Sequence, residues 1–250
     1  MPTQKVALVT GGGRGIGRAV ALELARTGHD VAVGWVRDEA AAQAVATEIR
    51  GLGRRTALVQ GDATDVADCE RAVAGTVAAL GRIDVLVANA GIVTRGSFLE
   101  TTPEEFDGQM AANARGSYFT VQAAARRMIE QGGGGRIILI TSQAAEKVLQ
   151  PVAAYSVSKA AQRMVMMVAA TELAQHGITV NAVAPGTTET DINRAMLTDP
   201  ERRKAMSAPI LLGRLGVPDD IRGAVAFLAS DAAAWITGTT IQVNGGSLIR

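Results

Sequence analysis

One cysteine, Cys69, stands in 250 residues, so no internal disulfide can form and a metal cluster built on thiolates is excluded. The two histidines, His29 and His176, lack the His-Glu-x-x-His spacing of a catalytic metal site and read as ordinary surface residues. Aromatic side chains make up 3%, so Ala, Val, Leu and Ile must supply the core. No apolar run approaches the roughly 18 residues that cross a bilayer. Charge of one sign is missing too: 25 Lys and Arg against 24 Asp and Glu leave +1, which offers no cationic face to nucleic acid or to an anionic membrane. Met1-Pro2-Thr3-Gln4-Lys5 passes straight into a strand pattern, with no apolar stretch of a signal peptide. These absences predict a cytoplasmic protein that acts on small molecules.

What is present is alternation. Short β-branched runs at Lys5–Thr10, Val31–Val36, Thr56–Gln60, Asp84–Ala88, Ile137–Thr141, Thr179–Ala184 and Thr240–Val243 read as buried strands. Between them lie helical patterns at Gly15–Thr27, Glu39–Arg50, Val66–Leu80, Pro103–Gln131, Ala154–His176 and Pro218–Ala229. Strands that are apolar on both faces, each followed by a helix, require a parallel sheet covered on both sides. Right-handed crossovers make this an α/β fold, a doubly wound parallel sheet (Rossmann fold) in a three-layer α/β/α sandwich. No repeat or linker divides residues 1–250, so one domain is expected.

The first strand runs into Thr10-Gly11-Gly12-Gly13-Arg14-Gly15-Ile16-Gly17, and a helix follows. Small residues let backbone N–H groups approach a phosphate, and a helix N-terminus adds a favourable partial charge. The spacing is Gly-x-x-x-Gly-x-Gly, and no glycine precedes a lysine, which argues against an ATP or GTP loop. At the end of the second strand an acid would accept from the ribose of NAD, whereas cations suit the 2′-phosphate of NADP. Trp35 occupies the expected acid position, with Arg37 just beyond and Arg14 in the glycine loop. Two guanidiniums favour NADP over NAD, although a small register shift would let Asp38 serve as the acid.

Two tyrosines and four lysines occur in the chain, and one of each forms Tyr155-Ser156-Val157-Ser158-Lys159. Spacing i, i+4 puts both on one helix face, where an ammonium favours the phenolate and makes the tyrosine a proton donor or acceptor. Ser142 follows the fifth strand, at a position where its hydroxyl could hold a substrate oxygen. A serine hydrolase is unsupported, because no Gly-x-Ser-x-Gly elbow exists. A non-catalytic dinucleotide-binding regulator on the same fold is the competing class.

With the glycine loop, Asn89-Ala90-Gly91, Asn113, Ser142, Tyr155-x-x-x-Lys159 and Pro185-Gly186-x-x-x-Thr190 in view, the chain resembles the short-chain dehydrogenase/reductase family over essentially its full length. The resemblance implies that Gly11, Gly13, Arg14, Gly15, Ile16 and Gly17 hold the pyrophosphate. By the same token, Asp62 with Ala63 meets the adenine, and Asn89, Ala90 and Gly91 border its ribose. Pro185, Gly186 and Thr190 would line the nicotinamide carboxamide, with Thr188 a further cofactor contact. Tyr155 becomes the acid/base, Ser142 the substrate-oxygen ligand, Lys159 a ribose contact and modifier of the phenol, and Asn113 the holder of a water. A departure is Ala88, where the family usually has a first asparagine before Asn89. The resemblance further implies a homotetramer packed through the helices around Ala114–Gln131 and Ala154–His176.

The segment at about 186–213 is expected to form a lid over the substrate, with polar Thr187, Thr188, Glu189, Asp191 and Asn193 beside Met196 and Leu197. Gln143, Glu146, Lys147 and Gln150 add donors and acceptors suited to a hydroxyl-rich ligand. The lid motifs are similar to those of bacterial sugar 1-dehydrogenases and of 3-oxoacyl-carrier-protein reductases. The latter dock an acidic carrier on arginines at places that hold Gly133 and His176 here, so a free aldose or hydroxy-ketone is the favoured substrate class.

Overall fold

The computed structural model describes residues 4–249; Met1–Thr3, on which the expectation of no signal peptide rests, lie outside them. Seven parallel strands form one sheet: β1 (Val6–Val9), β2 (Asp30–Trp35), β3 (Thr56–Gln60), β4 (Val85–Ala88), β5 (Gly135–Ile140), β6 (Ile178–Pro185) and β7 (Thr240–Val243). Their order is β3-β2-β1-β4-β5-β6-β7. The order reverses at β1, whose Ala7–Val9 pairs with Val31–Val33 on one side and Val85–Val87 on the other. A reversal of this kind opens a crevice at the carboxyl ends of the strands.

Helices α1 (Gly15–Arg26), α2 (Glu39–Gly51), α3 (Val66–Leu80), α4 (Pro103–Gln109), α5 (Gly116–Gln131), α6 (Ala153–Leu173), α7 (Pro200–Ser207) and α8 (Pro218–Ala229) complete the chain. One face of the sheet packs against α1, α2 and α8 through Val20, Leu24, Val45, Ile49, Val225 and Leu228. The other packs against α3, α5 and α6 through Val73, Val121, Met128 and Met166. Each fully buried Leu or Ile in these layers contributes about 1.5–3 kcal/mol of transfer free energy. The aliphatic core expected from the scarcity of aromatics is therefore realised, with strand residues buried on both faces.

Three elements differ from their expected form. The expected Pro103–Gln131 helix is interrupted: α4 ends at Gln109, one wide turn at Met110–Arg115 has π geometry, and α5 begins at Gly116. Such a turn inserts a residue and frees local backbone groups, and it holds Asn113. Residues 200–207, expected as loop, form α7, because Asp199 caps the helix by accepting from the Glu201 and Arg202 N–H groups and Pro200 suits its first turn. His29 is 7% exposed rather than a surface residue, since it follows α1 directly into β2 and its Nδ1 lies 3.1 Å from the Leu24 carbonyl. His176 is exposed, as expected.

Candidate active site

β1 ends at Val9, and the chain turns through Gly11 and Gly15, both at positive φ, into α1. Two features hold that turn. Asn89, from the loop after β4, donates from Nδ2 to the Thr10 and Gly11 carbonyls at 2.9 and 3.2 Å. Gly17 lies against them so closely that a Cβ there would meet Asn89 Nδ2 at 2.6 Å and overlap the Gly11 carbonyl. The Thr10 hydroxyl accepts from the Asn89 and Ala90 N–H groups, both at 3.0 Å. The residue before α1 is Arg14, whose side chain caps nothing, so the first-turn N–H groups of Gly15, Ile16 and Gly17 lack a side-chain acceptor. They open on a cleft of about 440 Å³ lined by Gly13, Arg14, Arg18, Thr190, Arg194 and Asp219, among others. Uncapped N–H donors at a helix N-terminus beside guanidiniums suit a pyrophosphate, and this donor set fits a dinucleotide.

At the end of β2, Trp35 packs partly buried against the core. Arg37 is exposed and, among the described residues, makes no hydrogen bond or ion pair. Asp38 is engaged otherwise: its carboxylate caps α2 by accepting from the Ala41 N–H at 2.9 Å. After β3, Asp62 accepts from the Thr64 N–H and hydroxyl, both at 2.9 Å, in a tight turn that carries Ala63.

The Tyr155–Lys159 pair lies in the first two turns of α6, and Ser142 follows β5. Lys159 Nζ sits 5.8 Å from the Tyr155 ring centre and donates to the Ile140 carbonyl at 3.0 Å. Burial pulls the Lys159 ammonium down from its ordinary value to about 7. Burial also raises the Tyr155 phenol, and the hydrogen bond with Ser142 only offsets part of that. This differs from the expectation for a phenol beside an ammonium: desolvation of the phenolate outweighs attraction by a cation that is itself desolvated. Asn113 is fully buried in its π turn. Its Nδ2 donates to the Ile92 carbonyl and to Ser158 Oγ, each at 2.9 Å, and its Oδ1 accepts from the Ile92 N–H at 2.9 Å. Asn113 thus ties the loop after β4 to α6 through its side chain. The glycine at 91 belongs to this contact, because a Cβ there would lie 2.6 Å from Asn113 Oδ1.

Pro185 ends β6, and the following segment turns back over the glycine loop, with Thr190 side-chain atoms 3.6 Å from where a Gly15 Cβ would be. Thr188 donates from its hydroxyl to the Gly186 carbonyl at 3.0 Å and forms a bridge with Gly216. Asn193, expected as a ligand-facing polar residue, instead staples this turn: it accepts from the Thr190 N–H at 2.9 Å and donates to the Thr188 carbonyl at 2.8 Å. Asp220 anchors the far end, pairing with both Arg214 nitrogens at 2.7 and 2.8 Å and accepting from the Val217 N–H at 2.8 Å. The Arg214 hydrogen bonds hold its carboxyl at about 2.

One side chain in this site escaped the sequence reading: Gln162, fully buried beside Lys159, for which the i, i+3 spacing was the available signal. Gln143, expected to offer polar contacts to a ligand, is instead buried and accepts from the Ser247 hydroxyl near the end of the described chain. Among the described residues, no cluster of three acidic, His or Cys side chains could hold a metal, and no helix is long and apolar enough to cross a membrane.

A seven-stranded parallel sheet with a glycine-rich turn at its switch point, facing a Ser, Tyr and Lys, defines a nicotinamide-dinucleotide oxidoreductase. A family model described as enoyl-(acyl carrier protein) reductase matches residues 11–247, and the chain belongs to that family, the short-chain dehydrogenases/reductases. It is 44% identical over 249 residues to L-rhamnose 1-dehydrogenase (NAD(P)(+)) of Azotobacter vinelandii, covering 98% of this chain and 97% of that protein. It is 39% identical over 247 residues to a 3-oxoacyl-(acyl-carrier-protein) reductase of Staphylococcus aureus, covering 98% and 99%. A short-chain dehydrogenase from Burkholderia cenocepacia, crystallised with NADP, superposes with a TM-score of 0.91 at 38% identity, covering 98% of each chain. The protein is therefore an NAD(P)-dependent oxidoreductase acting on CH–OH groups.

Proposed function

We propose that this protein is an NADP-dependent dehydrogenase of a small polar alcohol, an aldose or a hydroxy-ketone, in which Tyr155 moves the proton. When bound, the dinucleotide supplies the two-electron chemistry. The chain does the rest. Ser142 orients the substrate oxygen toward the Tyr155 hydroxyl, which takes the alcohol proton in oxidation and returns one in reduction. Lys159 carries the positive charge that favours the phenolate, and Asn113 fixes the backbone around it. The N–H groups of the Arg14–Gly17 turn bind the pyrophosphate, with Gly11, Gly13 and Asn89-Ala90-Gly91 shaping its bed.

One observation carries the cofactor choice: Arg37 is free while Asp38 is consumed as the cap of α2. A free guanidinium at the end of β2 suits a 2′-phosphate, and a carboxylate already accepting a backbone N–H is a poorer ribose ligand. Similarity to L-rhamnose 1-dehydrogenases and the accessible polar side chains at Gln150 and Thr187 support a sugar-like substrate. A second reading, a ketoreductase of carrier-bound acyl chains, is favoured by the likeness to 3-oxoacyl-(acyl-carrier-protein) reductases. The exposed Gly133 and His176, where arginines would grip an acidic carrier, disfavour it. Exposed Tyr118, Val157, Met164 and Val168 on α5 and α6 support assembly into a homotetramer.

The test is a panel of aldoses, secondary alcohols and β-ketoesters followed through NADPH absorbance, with NADH as control. Turnover of an aldose or hydroxy-ketone is expected, and Tyr155→Phe should lower it about 10²–10⁴-fold while NADPH binding by fluorescence persists. Activity confined to the β-ketoesters would favour the second reading. Unchanged turnover in Tyr155→Phe would overturn both, and no turnover with intact NADPH binding would leave a regulator.

A further inference from the structure

Lys159 is the one lysine or arginine buried among the described residues, and its ammonium has no carboxylate partner. Beyond the Ile140 carbonyl, its second acceptor is Gln162 Oε1 at 2.8 Å, one turn further along α6. Gln162 is in turn held from the other side, because its Nε2 donates to Ser117 Oγ on α5 at 2.7 Å. All three side chains are at most 4% exposed. Ser117 lies four residues after Asn113, just past the π turn, so the chain Lys159–Gln162–Ser117 joins the catalytic helix to the bulged one.

A purely space-filling role does not account for this residue. A buried amide costs free energy unless both its ends are paired, and an apolar side chain of equal length would fill the space without that penalty. Here the amide oxygen meets a donor and the amide nitrogen meets an acceptor, so its orientation is fixed from both ends. The other charged groups on surrounding elements are turned away. Glu104 and Asp107 of α4, Arg115 after it and Arg126 of α5 are exposed, and Glu105 caps α4. Arg127 pairs with Glu130, Arg136 with Asp231, and Arg163 with Glu146. Tyr155 is the titratable group that faces Lys159.

We propose that Gln162, locked by Ser117, is a positioning residue that keeps the Lys159 ammonium charged and in place beside the Tyr155 ring. The proposal rests on the acid–base role assigned above to Tyr155 and Lys159. Neutral acceptors suit that role: they hold the cation without cancelling the field it exerts on the phenol, as a carboxylate would.

The experiment titrates Lys159 directly, in the full-length protein without nucleotide. With lysine labelled at the ε-carbon with ¹³C, the four lysines give four NMR titrations, and Lys159→Met assigns the one in question. Gln162→Met should move its midpoint down by about one pH unit, and Gln162→Glu should move it up. Ser117→Ala should shift it in the same direction as Gln162→Met, but less. The alkaline limb of kcat/KM should follow the Gln162→Met shift. A lowered melting temperature with an unmoved Lys159 midpoint would overturn the proposal and leave Gln162 as packing. Should Gln162→Met fail to fold, the opposed shifts of Gln162→Glu and Ser117→Ala decide, and equal midpoints in both would overturn it equally. Because the titration needs no turnover, a shift seen alongside full activity in Tyr155→Phe would retain the contact while discarding the proposed function.

Discussion

The two ends of the sheet treat charge in opposite ways. At the amino ends of the strands, charges are neutralised in pairs. Asp30 accepts from the Arg55 N–H at 2.9 Å and from its Nε at 2.7 Å. Asp84 binds Arg82 and also accepts from the Val6 N–H at 2.8 Å, pinning the start of β1. Lys5 pairs with Asp231 at 2.7 Å. At the carboxyl ends, Lys159 has neutral acceptors, and Arg14 and Arg37 have no partner among the described residues. Buried or clustered charge without compensation is costly, and it persists where a ligand is to complete it. The amino end pairs its charges to hold the sheet together; at the other, these three cations are left without an acidic partner, which the proposed dinucleotide would supply.

The comparison breaks if a charge from each end behaves alike on removal. Lys159→Met should lower turnover about 10²–10⁴-fold without lowering the melting temperature, since an apolar side chain replaces an ammonium whose burial is penalised. Asp30→Ala should leave turnover within about threefold yet cost ~2 kcal/mol in denaturant unfolding, because it orphans the Arg55 N–H. Equal destabilisation by both would show that the ammonium, too, serves the fold. Next in size, Gly17→Ala should weaken NADPH binding strongly, by ~1–3 kcal/mol of strain, since its methyl group collides with the Gly11 carbonyl and with Asn89 Nδ2. Fluorescence titration with NADPH checks this, and an unchanged Kd would show that the glycine turn tolerates the methyl group.

Arg37→Ala comes third. Loss of one charge-assisted contact should reduce NADPH affinity about tenfold and leave NADH affinity unchanged. Equal losses for both dinucleotides would mean that Arg37 does not read the 2′-phosphate, and Arg14 would be the next guanidinium to remove.

Much of this was legible in the sequence for a definite physical reason. Parallel strands buried on both faces leave continuous β-branched runs, and all seven strands fall within a few residues of their expected places. Tyr155 and Lys159 were legible because i, i+4 spacing fixes a shared face wherever the helix lies. The π turn at Met110–Arg115 was not, since its residues have ordinary helical character and the extra residue answers to packing between α4, α5 and α6. Asn193 was misread because a side chain that staples its own turn, here to Thr190 and Thr188, has the same polar character as one that faces a ligand; Gln162 was missed because one of its two partners lies far away in sequence. Gln162 needs Ser117, and nothing near position 162 points there.

His29 is the amino-end exception, and it yields the smallest effect. Its Nδ1 lies 3.1 Å from the Leu24 carbonyl and 3.3 Å from the Thr27 hydroxyl, whereas Nε2 is buried with no partner. A proton added at Nε2 would place a charged N–H where nothing accepts it, so burial lowers the His29 pKa below 6.5. The unfolded chain therefore takes up this proton first as pH falls through 6.5, while the folded protein resists it until lower pH. Stability contributed by the neutral ring is complete above 6.5 and is lost on acidification, with a slope of at most about 1.4 kcal/mol per pH unit. Urea unfolding of the wild type between pH 7.5 and 5.5 should accordingly fall more steeply than that of His29→Asn, which retains a donor for the Leu24 carbonyl. Parallel slopes would mean that His29 takes up its proton alike in the folded and unfolded chain, so that burial of its ring has no effect on stability.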